Sequence, residues 1–178
     1  MVRTRDGDLG AYEVLVARYT AAAHRTAYLL GAGHEAEDVV QEAFVKAFRA
    51  LPSFRDGATF RPWLLRIVAN ETRNLVRSRE RRGALELRVV HREVVDHDGP
   101  ESEAVAGETR AVLLDAVRAL PERNRLVVIC RYFLDLSETE TAQVLGWPRG
   151  SVKSRLSRAL DRLRPALVER LEEGAVGD

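Results

Sequence analysis

Residues 136–164 read LSETETAQVLGWPRGSVKSRLSRALDRLR, and no other stretch limits the possible folds as much. Ser137 is followed three residues later by Glu140. That is capping-box spacing, in which the hydroxyl and the carboxylate each satisfy a backbone N–H that a helix start leaves unpaired. Ala142, Val144 and Leu145 supply a short apolar side. Gly146 fits the position just past a helix end, where a left-handed backbone is usual. Trp147 and Pro148 then turn the chain. A second helix is expected to start near Gly150 or Ser151. Its residues Val152, Leu156, Ala159, Leu160 and Leu163 recur at spacings of three and four, so they share a buried face. The pattern is helix, tight turn, helix.

The rest of the second helix is basic and hydroxylic. Ser151, Lys153, Ser154, Arg155, Arg158 and Arg162 fall outside the apolar stripe. Between residues 149 and 164 the one acid is Asp161, against Arg149, Lys153, Arg155, Arg158, Arg162 and Arg164. Such a helix suits the major groove of DNA. Arg and Lys neutralise phosphates or pair with guanine edges, and Ser bonds to either. A solvated basic face has the same pattern, so this stretch alone leaves both readings open.

The whole chain sets further bounds. Its 178 residues leave room for one ordinary domain or two small ones. Basic and acidic residues nearly cancel, 28 against 27, so DNA binding must rest on the distribution of charge rather than on its sum. A single cysteine, Cys130, excludes an intrachain disulfide framework and a Cys-rich zinc site. It stands in the apolar run LVVIC and reads as a small buried hydrophobe. His91 and His97 lie in an aperiodic stretch and do not make a metal site; no metal or other cofactor is expected. No apolar run reaches the length of a membrane span and no signal-peptide pattern is present, so no membrane insertion and a cytoplasmic location are expected.

Helical periodicity covers most of the remainder. Leu9, Tyr12, Leu15, Val16, Tyr19, Ala23, Ala27 and Leu30 mark a helix over 8–30, closed by Gly31, Ala32 and Gly33. A second helix is expected over 35–51. It carries Glu35, Glu37, Asp38 and Glu42 in its first turns and Lys46 and Arg49 in its last, which complements the helix dipole. Val40, Phe44, Ala47 and Leu51 form its core stripe. Asp38, Gln41, Glu42 and Val45 share another side, a polar ridge with one apolar member that can dock a partner helix. Residues 52–59 (PSFRDGAT) read as a loop with turn chemistry, carrying the aromatic Phe54. The next helix, from 60 to about 81, joins Phe60, Trp63, Leu64, Ile67, Val68 and Leu75 to seven arginines within residues 61–82. Aromatics beside arginines can stack unpaired bases while the cations hold the backbone, although Phe60 and Trp63 also fit a core. The period is lost after Gly83 and returns at Glu108, where a helix runs to Leu120; Pro121 opens another that ends near Leu134. No strand pattern appears. The expected fold class is all-α, with two small helical domains, 1–82 and 107–178, joined by a flexible linker over 83–106.

AEDVVQEAFVKAF (36–48), LPSF (51–54), FRPWLLRIVAN (60–70) and RGSVKSRLSRALDRLR (149–164) together resemble the bacterial sigma-70 family of RNA polymerase sigma factors, in the extracytoplasmic function (ECF) group. Two independent blocks occur in that family's order and spacing, and with the helices around them they span nearly the whole chain. The resemblance implies a transcription initiation factor, not an enzyme, whose partners are core RNA polymerase, through its β′ clamp helices and β flap, promoter DNA, and an anti-sigma factor. It implies that Asp38, Gln41, Glu42 and Val45 dock on the polymerase. It implies that the loop carrying Ser53, Phe54, Arg55 and Asp56, with Asn70, captures a flipped base of the −10 element, and that Phe60, Arg61, Trp63, Arg66 and Arg73 contact the separated strand or the upstream duplex. It assigns the −35 element to Arg149, Ser151, Lys153, Ser154, Arg155 and Arg158. Three residues depart from the family pattern: Thr141 replaces an aliphatic residue, Trp147 a small or aliphatic one, and Ser151 the common Thr. Thr141 is expected to loosen the packing of its helix.

Two rivals explain less. A stand-alone helix-turn-helix regulator accounts for 136–164 but leaves the acidic ridge and the aromatic-basic helix unused. A metal-dependent nuclease built on Glu35, Glu37, Asp38 and Glu42 lacks a second carboxylate cluster to complete a two-metal site.

Overall fold

The structure is a computed structural model; it describes residues 9–55, 57–85, 113 and 115–175. The described residues fall into two compact units: one holds the helices before residue 86 together with 139–147, and the other holds the helical segments on either side of 139–147. No strand occurs among the described residues.

In the first unit α1 (Leu9–Ala27), α2 (Ala36–Ala50) and α3 (Phe60–Leu85) pack on one another. Their contact faces are rich in alanine: Ala23 and Ala27 from α1, Ala36, Ala43 and Ala47 from α2, and Ala69 from α3 are almost wholly buried. Leu51, Leu64 and Val68 fill the space between. The expected stripe of α2, namely Val40, Phe44, Ala47 and Leu51, is buried as anticipated. Tyr12 crosses from α1 to α2, donating its hydroxyl to the Phe44 carbonyl at 2.6 Å with its ring against Phe44 and Phe48. Burial pushes its phenol up to about 12.

The end of α1 unwinds as the glycines lead one to expect, through a wide turn at Tyr28–Ala32 and a tight one at Gly33–Glu35. Gly31 has φ of 109°, which a side chain would strain. Arg79 of α3 secures this corner by donating to the carbonyls of Gly31 (3.2 Å) and Ala32 (2.7 Å) and to Glu35 (2.7 Å from Nε). Carbonyls at a helix end need such partners, and a cation there also favours the helix dipole. The Arg79 hydrogen bond holds the Glu35 carboxyl below its usual range. One of the seven arginines in 61–82 is therefore spent on structure. The helix α3 continues to Leu85, past the expected end near 81.

In the second unit α4 (Glu122–Val128) runs on through a wide turn at Ile129–Phe133 and packs on α6 (Arg149–Ala175). Its core is Val117, Leu120, Val128, Ala159 and Leu163, flanked by Leu113, Ala116, Phe133 and Leu156. Pro121 stands just before the first turn of α4, where its carbonyl accepts from the amides of Asn124 and Arg125. Cys130 is fully buried, as read from its apolar run. The expected helical segment before Pro121 is described only at 113 and 115–120, and is helical through 119. The linker and its two histidines lie outside the described residues.

The helix α5 (Glu138–Leu145) ends at Gly146, whose φ is 69°, and the Trp147 amide reaches back to the Ala142 carbonyl at 3.0 Å. That 6→1 bond closes a Schellman cap. Pro148 then starts α6, accepting from the amides of Ser151 and Val152. The second helix so begins at Arg149, one residue ahead of expectation. Leu160 corrects the sequence reading more substantially. It is 38% exposed and does not share the face of Val152, Ala159 and Leu163.

Thr141 is fully buried and its hydroxyl has no hydrogen-bond partner among the described residues. An unpaired buried hydroxyl costs about 1–3 kcal/mol. Thr141→Val keeps the shape and removes the unpaired group. It should raise the free energy of unfolding by about 1 kcal/mol, seen as a melting temperature several degrees higher by circular dichroism. An unchanged or lower melting temperature would show that the hydroxyl is satisfied.

Candidate nucleic-acid interface

The acidic ridge of α2 lies opposite its packed face. Asp38, Gln41, Glu42 and Val45 are all exposed, while Val39, Val40, Ala43, Phe44 and Ala47 are buried. Val45 is 39% exposed, an apolar patch between polar neighbours. Dipole complementation requires none of this clustering. Sequence reasoning gave Lys46 only to the helix dipole, but it bridges Glu42 (3.3 Å) and Glu71 of α3 (2.6 Å). The hydrogen bond to Glu71 is the main cause holding the Lys46 amine above its usual range. The i, i+4 spacing of Glu42 and Lys46 was the available signal for that half of the bridge.

Between α2 and α3 the chain makes a tight turn at Leu51–Ser53 and then a loop. The Ser53 hydroxyl donates to the Ala50 carbonyl at 2.7 Å, and the Ala58 amide to the Arg55 carbonyl. Ser53, Arg55, Gly57, Ala58 and Thr59 are exposed, and Asp56 lies outside the described residues. Phe54 turns inward and is 5% exposed. Its ring meets Trp63 edge-on at 4.9 Å and Phe60 at 6.0 Å, and Phe60 in turn meets Tyr19 at 5.3 Å. Phe60 is as buried as Phe54, and Trp63 is half-buried against the same core. Two of the three aromatics expected to meet DNA are thus core side chains that anchor the loop.

The polar members of the set remain on the surface. Arg66 and Asn70 are exposed, and Arg61 and Arg73 are half-buried. On α6, Arg149, Lys153 and Arg158 are exposed, and Ser151, Ser154 and Arg155 are partly so. The Ser154 hydroxyl donates to the Ser151 carbonyl at 3.2 Å, which leaves its lone pairs as acceptors. Arg155 reaches the same carbonyl at 3.3 Å. Glu138, not singled out from sequence, stands 3.9 Å from the guanidinium of Arg149. Among the described residues no three His, Cys, Asp or Glu side chains gather as a metal site, and no helix is long and apolar enough to cross a membrane.

This arrangement has known counterparts. Residues 15–82 match the family model for Sigma-70 region 2, and residues 110–163 that for Sigma-70, region 4. The ECF RNA polymerase sigma-E factor of Escherichia coli (strain K12) is 34% identical over 172 residues, covering 90% of this chain and 88% of that protein. The protein of that name from Haemophilus influenzae is 32% identical over 171 residues, with 90% and 89% covered. Among solved structures, the sigma factor RpoE of Bartonella quintana with the anti-sigma factor NepR superposes with a TM-score of 0.73 at 26% identity, over 88% of this chain and 96% of that one. CnrH in complex with the cytosolic domain of CnrY gives 0.67 at 27% identity, over 94% of each chain. Two helical units, one with an acidic ridge and a basic helix and one ending on a second basic helix, are those of a sigma-70 factor. The chain belongs to the ECF group of these RNA polymerase sigma factors. It is a transcription initiation factor, which binds core RNA polymerase and directs it to promoter DNA.

The placement of Phe54 can be checked directly. Phe54→Ala should cost about 3–5 kcal/mol of stability, because it empties a buried aromatic site. A variant that melts like the wild type yet fails at promoters would return Phe54 to direct DNA contact.

Proposed function

We propose that the two domains divide promoter recognition as follows. Residues 1–82 dock on the polymerase and open the −10 element, residues 107–178 read the −35 element and meet the β flap, and residues 83–106 link them. The observation that carries this reading is the α2 ridge. Four residues with no packing role, Asp38, Gln41, Glu42 and Val45, lie together on a face turned away from the core. Two acids, an amide and an exposed valine suit a basic helical partner with an apolar seam, and the β′ clamp helices are the expected one. A regulator acting without polymerase has no use for such a face.

The −10 chemistry then falls to the loop and to the start of α3. Ser53, Arg55, Asp56 and Asn70 offer donors and acceptors to the edge of one base taken out of the stack. Arg61, Arg66 and Arg73 hold the strand, with Trp63 at the rim, and Phe54 and Phe60 act from beneath by fixing the loop. A flipped base is at once read and kept from re-pairing, so recognition and opening are a single event. Arg149, Ser151, Lys153, Ser154, Arg155 and Arg158 enter the major groove at the −35 element. The protein acts in the cytoplasm, and an anti-sigma factor that covers these faces controls it. The complexes of RpoE with NepR and of CnrH with the cytosolic domain of CnrY support that regulation.

Transcription by core RNA polymerase on sheared genomic DNA tests the reading as a whole, with discrete starts expected only when this protein is added. Asp38→Arg should abolish assembly with core polymerase while the protein stays folded by circular dichroism, its melt lowered only by the lost helix-dipole partner, about 0.3–1 kcal/mol; normal assembly removes Asp38 from the docking face. Arg155→Ala should lose about 1–3 kcal/mol of −35 discrimination for a bidentate base contact. If promoter preference holds and only the salt dependence drops, Arg155 contacts phosphate instead.

A further inference from the structure

The basic face of α6 begins beside an acid that α6 does not supply. From Arg149 to Arg158 the helix carries no Asp or Glu, and Asp161 lies about 18 Å further along the axis from Arg149. Glu138, the first residue of α5, brings a carboxylate to the start of that face from across the turn. It stands 3.9 Å from Nε of Arg149, the two side chains being 36% and 67% exposed, and it meets no other base among the described residues. The separation is that of an ion pair rather than a hydrogen bond. Between side chains this exposed, such a pair adds little to stability. It also works against plain affinity for DNA, because a carboxylate at the edge of a DNA-binding face repels phosphates. The dipole of α5 favours an acid at its start, which accounts for the charge but not for its pairing with Arg149.

We propose that Glu138 is a positioning residue for −35 specificity, one that turns Arg149 away from the phosphates and toward a base edge. A phosphate that approaches Arg149 must also approach the Glu138 carboxylate, and the two anions repel. The edge of a guanine is neutral and offers O6 and N7 as acceptors, so it approaches without that penalty. The carboxylate lies nearest Nε, so the two terminal nitrogens of the guanidinium, with four N–H donors, are left for a bidentate pair. Displacing water from the groove sharpens the effect, since charge–charge terms grow as the local dielectric falls. Phosphate contacts carry no sequence information and base contacts do. Glu138 thus adds specificity by disfavouring the uninformative contact of Arg149.

The inference rests on the assignment of Arg149 to the −35 element, and one experiment separates the two. Holoenzyme is formed with wild type, Glu138→Gln, Arg149→Ala and the double variant. Binding is measured on a promoter taken from the mapped starts, with each −35 base pair exchanged in turn, and on duplex without a promoter. Arg149→Ala should cut the preference at one base pair by about 5- to 150-fold, as for a lost bidentate contact. Glu138→Gln should lower the preference at that same base pair and at no other, while binding to promoter-free duplex holds or tightens. In the Arg149→Ala background, Glu138→Gln should change no preference. An unchanged preference with Glu138→Gln overturns the proposal and leaves the −35 assignment standing; a lower melt alone then returns Glu138 to the helix dipole. A shift that persists in the Arg149→Ala background, or weaker binding to every sequence, overturns it as well. If Arg149→Ala alters no base preference, the assignment of Arg149 falls and the proposal falls with it.

Discussion

How closely α2 can lie against α1 and α3 decides most of the first unit. The distance between packed helices is set by the side chains at their contact, and here alanines stand among the larger residues at that contact. Close packing leaves little play between the helices. The ridge of α2 and the basic face of α3 are therefore held in a fixed relation within that unit. Lys46 reinforces it from the surface by joining a ridge residue to α3 through Glu71. A larger residue at Ala43 or Ala47 would push the helices apart and move both surfaces at once.

The arginines of α3 show how one residue type serves unlike ends on one helix. Arg79 is drawn into the corner between α1 and α2, where carbonyls and a carboxylate await it. Arg81 and Arg82, on the exposed side, bond instead to carbonyls one turn back in their own helix. Composition cannot tell these apart. Only the position of the α1 terminus, one turn of chain far away in sequence, makes Arg79 structural.

Much of this was legible in the residues. The dipole-matched α2 with its ridge, the glycine cap at Gly146 and the basic face of α6 follow from local chemistry that acts within a few residues. What was not legible depended on partners far along the chain. Phe54 sits in a loop with no period, so no pattern announced that it turns inward onto Trp63 and Phe60. Leu160 lies about 80° around the helix from Val152, at the margin of the apolar stripe, where the shape of the neighbouring helix decides exposure. Thr141 stood out as a departure, and its burial with an unpaired hydroxyl gives that departure a physical meaning.

Among the described residues of the loop between α2 and α3, Phe54 has its side chain in the core, and Arg55, Gly57, Ala58 and Thr59 are exposed. Folding information and recognition information are thereby kept on different residues. Exchange at Ser53 or Arg55 leaves the anchor untouched and is close to neutral for stability, as surface changes usually are. On the proposed reading these are among the positions that meet the −10 base. A lineage built on this scaffold can then drift from one promoter set to another in single steps, with every intermediate still folded.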